Sequence, residues 1–192
     1  NSGYWNEAET LATKFMTDFR SDMPVVSPSG SCTGYILNHY HKLFAGKPEL
    51  LQKLDALKPQ IFELTDFLVN ELKVVDLGAS FPHKVTFHDA CSALREYGIK
   101  EEPRLLLSHV KGLELIEMNE SDTCCGFGGT FAVKHTAVSS AMAEKKVINA
   151  LATGAEYVVS TEASCLMNIN GYCAKHKSAV KGIHIADILA GF

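Results

Sequence analysis

The sequence predicts an α/β protein: two similar halves with parallel sheets flanked by helices, the first half truncated at its N-terminus. Three observations predict it. Short β-branched runs alternate with amphipathic stretches of helical length, the pattern left by strands joined through crossover helices. The chain also matches itself, because "EYVVSTEASCLMN" (156–168) lines up with "MPVVSPSGSCTGY" (23–35), sharing Val-Val-Ser and then Ser-Cys. Each copy is preceded by a long amphipathic stretch and followed by an acidic residue before an apolar pair, Asp66 in "FELTDFLVN" and Asp187 in "HIADILAGF". Three marks repeated in one order indicate a duplicated unit.

Residues 6–21 are expected to be helical, with Leu11, Phe15 and Phe19 at steps of four on one face. A buried strand over 23–27 ends at Pro28. Helices are expected over 33–45 and 48–58, the second opening with Pro48 in the first turn, where its missing N–H costs nothing. Residues 60–73 read as helical after a short extended piece. "KVTFH" gives a strand over 84–88, a helix follows around 103–111, and "LELIEM" gives a strand over 113–118. A long helix over about 130–153 is stopped by Gly154. A strand at 156–160, a helix from about 164, an extended piece at 181–185 and a last helix complete the chain. The expected division is 1–75, the trailing part of a first unit, and 76–192, a complete second unit.

The 192 residues are 46% hydrophobic and 21% charged, the make-up of an ordinary globular protein. The formal charge of −4, with scattered lysines and arginines, leaves no basic stripe and argues against nucleic acid. No apolar run approaches the roughly 18 residues of a bilayer-spanning helix, and no signal-peptide pattern opens the chain. A cytoplasmic location is expected. The chain starts at Asn1 and enters a helical pattern almost at once, so its first residues are expected to come from the middle of a larger unit.

The chemistry concentrates in "SDTCCGFGGTF" (121–131), where Cys124 and Cys125 are adjacent and three glycines follow. Glycine adds no contact area to a core, so the stretch reads as a turn that brings backbone close to sulfur. Its N–H groups, and the positive end of the helix after it, would stabilise thiolates. Cys91 follows the strand "KVTFH" and Cys165 follows "EYVVS". Carboxyl ends of parallel strands share one edge of a sheet, so Cys91, Cys124, Cys125 and Cys165 are expected to converge there. Four thiolates suit an iron–sulfur cluster or a zinc ion. A thiol–disulfide enzyme using Cys124 and Cys125 is disfavoured, since neighbouring cysteines close a strained ring. "GFGG" lacks the spacing of a dinucleotide-binding loop.

The arrangement C-x32-CC-x39-C, with "HDACSALRE", "CCGFGGTF" and "SCLMN" around its cysteines, resembles the CCG-type cysteine-rich domain family. That family includes the cysteine-rich subunit of heterodisulfide reductase and the iron–sulfur subunit of glycolate oxidase, and the likeness is greatest to its lactate-utilization members. It extends over essentially the whole chain. The resemblance implies two units per chain, each binding a cluster through a Cys, a Cys-Cys pair and a C-x-x-C. Here Asn168 and Tyr35 stand where the last cysteine of each C-x-x-C would be. A four-thiolate site at Cys91, Cys124, Cys125 and Cys165, holding a 4Fe-4S cluster, is therefore the expectation. Cys32 would be a cofactor ligand of the first unit. The resemblance further implies an electron-transfer subunit for oxidising L-lactate to pyruvate, working with a ferredoxin-like iron–sulfur subunit and a third subunit. The alternative is a zinc-binding interaction module without redox activity.

Other residues read more simply. Cys173 lies off the face of Cys165 and is core or surface. His88 is a ligand or a hydrogen-bonding neighbour of the site, the latter being commoner for a histidine ending a strand. Arg95 and Arg104 either offset a negative cluster or serve the surface.

Overall fold

β-Branched and aromatic runs form the strands, and every pairing is parallel. In the computed structural model, which describes residues 3–19 and 22–191, β1 (Val25–Ser27) pairs with β2 (Ile61–Glu63). The helix α1 (Trp5–Asp18) precedes this pair, and α2 (Gly30–Leu43) and α3 (Pro48–Leu57) lie between its strands. Next come α4 (Leu64–Asp66), which runs on into a π-helical turn Phe67–Glu71, and then β3 (Lys84–Phe87). A second π-helical turn, Ala93–Tyr97, and α5 (Glu101–Ser108) lead to β4 (Glu114–Leu115). After these come α6 (Thr130–Lys134), α7 (Thr136–Ala152), β5 (Tyr157–Ser160), α8 (Ala163–His176), β6 (Lys181–His184) and α9 (Ile185–Leu189). The second sheet has the order β4-β3-β5-β6. Among the described residues no helix is long and apolar enough to cross a membrane.

Successive residues of a strand face opposite sides, and β5 is covered on both. Val158 joins Val147, Ala150 and Ile169 on one side, and Val159 joins Val85, Phe87 and Ile185 on the other. The duplicated order is visible too: β1, α2, β2, α4 and β5, α8, β6, α9 correspond, with α3 an addition of the first half. Glu63 caps α4 with its side chain, as His184 caps α9.

Helix α2 is laid against the π turn after Cys91 by its small residues. A Cβ on Gly30 would lie 2.5 Å from the Ala93 Cβ, and one on Gly34 would lie 3.1 Å from the Glu96 Cβ. One turn further on, Asn38 Nδ2 donates to the Glu96 carbonyl at 2.7 Å. Tyr97 completes the seam, donating to Asp66 Oδ2 at 2.5 Å and accepting from the Glu63 N–H at 3.0 Å.

Several expectations need correcting. The tail of the helix expected over 6–21 includes residues 20 and 21, which lie outside the described residues, as does Phe192 at the end of the last helix. The inner face of α1 is turned from the one read in the sequence. Ala12 is buried against Phe44 and Leu54 with Met16 beside it, while Leu11 is 67% exposed. Phe15 borders this cluster, edge-on to its Tyr40 at 6.0 Å. The helix expected over 130–153 is broken at His135, where no proline or glycine signals it. Backbone bonds continue on both sides, from the His135 N–H to Phe131 O and from the Ser139 N–H to His135 O. The strand expected over 113–118 shrinks to Glu114–Leu115, because the chain then turns across the sheet edge. Gly154, at φ +72, does follow α7 as its stop.

Candidate metal centre

β3 and β5 are neighbours and parallel, so the chain leaves both at the same edge. From β3 it runs through His88 and Asp89 to Cys91, and from β5 through Thr161 and Glu162 into α8, which carries Cys165. The segment after β4 crosses this edge and delivers Cys124 and Cys125. The four cysteines line one cavity of about 290 Å³, with Gly128 and Gly129 at its rim.

The sulfurs lie in two layers. Cys125 and Cys165 are buried, at 2% and 7% exposure, while Cys91 and Cys124 are only half-buried. One ring nitrogen of His88 and the sulfurs of Cys125 and Cys165 all lie within 4.8 Å of one another. Cys165 donates to Cys125, which holds the Cys125 thiol well below its ordinary value against the opposing effect of burial; the Phe127 N–H adds to this. The same shared proton, with burial, pushes Cys165 up. Burial also raises Cys124, against a hydrogen bond from the Gly126 N–H to its Sγ at 3.4 Å.

A polar scaffold fixes the crossing segment. The Ser121 carbonyl accepts from the Asp89 N–H at 3.1 Å, from His88 Nδ1 at 3.2 Å and from Lys146 Nζ at 3.2 Å. Lys146 is 1% exposed and also donates to Glu120 O at 2.5 Å and Thr123 Oγ1 at 2.9 Å. Its burial lowers its pKa, and the neighbouring Cys125 and Asp122 oppose that. Arg104 forms a two-bond fork on Asp89, 2.9 Å at each oxygen, and continues to Glu117. Burial alone would raise Asp89, but the bonds from Arg104 and Ser121 hold it below its ordinary value. Arg104 thus orients the loop before Cys91. Arg95 reaches only the Asp122 carbonyl.

The turn itself demands glycine at Gly126. Its φ is +88, and a Cβ there would lie 2.6 Å from the Ser139 carbonyl of α7. Asn168, at the position of a possible further ligand, instead donates Nδ2 to the Cys125 carbonyl at 2.8 Å. It ties the cysteine pair to α8.

Glu162 lines the same cavity and is 3% exposed. Its carboxylate accepts from the Ser31 N–H at 2.5 Å, from Ser31 Oγ at 2.8 Å and from Ser29 Oγ at 3.3 Å. It therefore sits on the N-terminus of α2, where a negative group is stabilised. Cys32, one residue further, does not enter the four-cysteine cavity. It is exposed on an adjoining groove walled by Trp5, Tyr35 and Tyr40, and Ser31 and Ser92 border both spaces. Cys173 is buried in the core.

Glu162 and Lys146 were not singled out in the sequence. The repeat offered a signal for the first, because it aligns with Ser29 and the two meet. Lys146 gave none, since "AEKKVI" reads as a solvated lysine pair. The residues present fit a thiolate-bound metal group. Four sulfurs share a space far larger than the ~10–15 Å³ that one water occupies, and a buried imidazole nitrogen close to two of them, His88 Nε2, has no hydrogen-bond partner among the described residues.

Residues 85–170 match a family model described as CCG, the cysteine-rich domain. The chain is 42% identical over 189 residues to lactate utilization protein A of Bacillus subtilis, covering 98% of this chain and 79% of that protein. It is 40% identical to an uncharacterized protein, YkgE, of Escherichia coli over 190 residues, with 98% and 79% covered. A solved structure of a hypothetical protein from Helicobacter pylori superposes with a TM-score of 0.54 at 13% identity, over 79% of this chain and 31% of that one, a likeness of fold. With 40% identity over nearly its full length to the lactate utilization proteins A and the cysteine-rich model over its four converging cysteines, the chain belongs to the CCG cysteine-rich domain family.

Proposed function

We propose that the protein is an iron–sulfur electron-transfer subunit of an L-lactate oxidation system, binding its cluster through Cys91, Cys124, Cys125 and Cys165. The observation that carries this reading is the meeting of those four cysteines around one cavity at a sheet edge. When bound, a four-iron cluster supplies one-electron redox chemistry, which none of these side chains offers alone. The residues of the chain contribute the donor set, the N–H of Gly126 aimed at Cys124, and a buried ammonium, Lys146, beside Cys125. The names of the relatives support lactate as the substrate of the wider system, with turnover requiring a ferredoxin-like iron–sulfur subunit and a third subunit. Cys32 would belong to a second cofactor position.

Anaerobic reconstitution with ferrous iron and sulfide tests the reading. About four irons per chain, a visible absorption band, and loss of both in Cys124→Ser are expected. L-lactate, added with the partner subunits, should then bleach the band. No iron uptake by the wild type would sink the proposal. A colourless protein holding one zinc would favour the structural module instead, a reading that the mixed group of His88, Cys125 and Cys165 supports.

A further inference from the structure

We propose that His88 is itself a metal ligand, its Nε2 binding the same metal atom as the sulfurs of Cys125 and Cys165, so that the centre is a mixed nitrogen–sulfur site. This rests on the metal-binding reading above but goes beyond four cysteines. His88 is 0% exposed, and its Nε2 is buried without a hydrogen-bond partner. A buried polar atom left bare costs free energy, roughly 1–3 kcal/mol, and such atoms are rare without a reason.

The tautomer follows from the partner of the other nitrogen. The Ser121 carbonyl can only accept, so Nδ1, 3.2 Å away, carries the proton and donates. In the neutral ring Nε2 then holds a free lone pair. Histidines that bind metals are oriented in this way, with the far N–H given to a carbonyl or carboxylate. The carbonyl is itself held in place by the Asp89 N–H and Lys146 Nζ, and the His88 backbone is tied to β5 by its N–H to Val159 O at 2.8 Å and by Ser160 Oγ to its carbonyl at 2.9 Å. The ring therefore has little freedom to turn away. Its nitrogen lies within 4.8 Å of two sulfurs that themselves lie within 4.8 Å of each other, a triangle that closes around one ion with small movements.

The two layers give the proposal its shape. His88, Cys125 and Cys165 form the inner, buried set, and Cys91 and Cys124, which are half-buried, the outer one. The metal atom deepest in the site would take nitrogen and two sulfurs. The imidazole brings no negative charge to the thiolates, where a further thiolate would, so the reduction potential of a centre held here would lie above that of one with sulfur at this position, the direction seen when imidazole stands in for thiolate in two-iron centres.

Cobalt(II), bound by the full chain under anaerobic conditions, is the probe, read by X-ray absorption at the metal edge. One nitrogen at about 2.0–2.1 Å beside sulfurs at about 2.3 Å is expected, the nitrogen disappearing in His88→Ala with a loss of affinity beyond about tenfold. His88→Cys should keep the affinity and add one sulfur to the shell, which excludes general unfolding as the cause of the loss. An all-sulfur shell in the wild type, unchanged in His88→Ala, would overturn the histidine ligand and leave the four-cysteine reading standing. Uptake of iron and sulfide without any cobalt would also overturn it, whereas failure to take up either metal would sink both readings.

Discussion

Glu162 joins the candidate metal centre to the first sheet, and removing its carboxylate should loosen both. In Glu162→Ala the Ser31 N–H and hydroxyl and the Ser29 hydroxyl lose an acceptor that they reach at 2.5–3.3 Å. The hydroxyls can rehydrate through the cavity that opens beside them, so their loss counts for little. The Ser31 N–H, at the start of α2, cannot do so as freely, and an unsatisfied donor of this kind costs about 1–3 kcal/mol. Loss of a negative group at a helix N-terminus adds about 0.3–1 kcal/mol. Together these predict a destabilisation of about 1–4 kcal/mol, a fall in melting temperature of roughly 3–16 °C for a chain of this size. Glu162→Gln keeps an acceptor for Ser31 and should lose about 1 kcal/mol. Urea unfolding gives the free energies, and amide exchange at Ser31–Thr33 reports the loosening directly. An alanine variant within 0.5 kcal/mol of wild type, a change typical of surface sites, would refute the claim that this carboxylate holds the two parts together.

The other predictions concern buried charge. Burial raises the Glu63 carboxyl to about 7, against hydrogen bonds from Thr65 and the Asp66 N–H. Its folded pKa exceeds its unfolded one, so its stabilising contribution is complete below about pH 4.5 and lost as pH rises through about 7. Relative to Glu63→Gln, the wild type should lose roughly 3 kcal/mol between about pH 5 and 8 in urea denaturation, and parallel curves would refute this. Lys146→Met removes three hydrogen bonds to the segment before the cysteine pair and should cost about 3 kcal/mol, with proteolysis appearing first within residues 119–129; wild-type resistance there would show that the ammonium does not hold the turn.

The fold was legible where sequence periodicity had a single cause. Val158 and Val159 face opposite cores, so β5 is apolar throughout and reads as a buried parallel strand. The edge positions of Cys91 and Cys165 were readable as well, because each follows such a strand. What escaped has physical reasons. The face of α1 was misread because Leu11 and Phe19 are apolar yet exposed, and the sequence does not state which side a helix packs. The π turn at Ala93–Tyr97 inserts a wider coil with no residue signature beyond Gly98, and the break at His135 has none at all. The scaffold of the centre was hidden for a different cause. Lys146, Arg104 and Glu162 are charged residues with partners 13 to 133 positions away in sequence, as in the Arg104–Glu117 and Ser29–Glu162 bonds, so only the tertiary structure distinguishes them from surface charges.

Electrostatics explains why such a scaffold is needed. Two thiolates about 4 Å apart repel by roughly 4 kcal/mol at an effective dielectric of 20, so four sulfurs in one cavity cannot all ionise without a cation. The surroundings select one. Cys125 is the sulfur that receives hydrogen bonds from Cys165 and the Phe127 N–H, while Cys124 and Cys165 are pushed toward the protonated form. A cation entering the cage removes the repulsion and can take the remaining sulfurs as their protons leave. The bonds that set the cage, from Lys146 and His88 to the Ser121 carbonyl, from Arg104 to Asp89 and from Asn168 to the Cys125 carbonyl, use atoms other than sulfur. Each can therefore be removed without removing a sulfur, so a variant at one of them separates the positioning of the cysteine pair from its ability to bind.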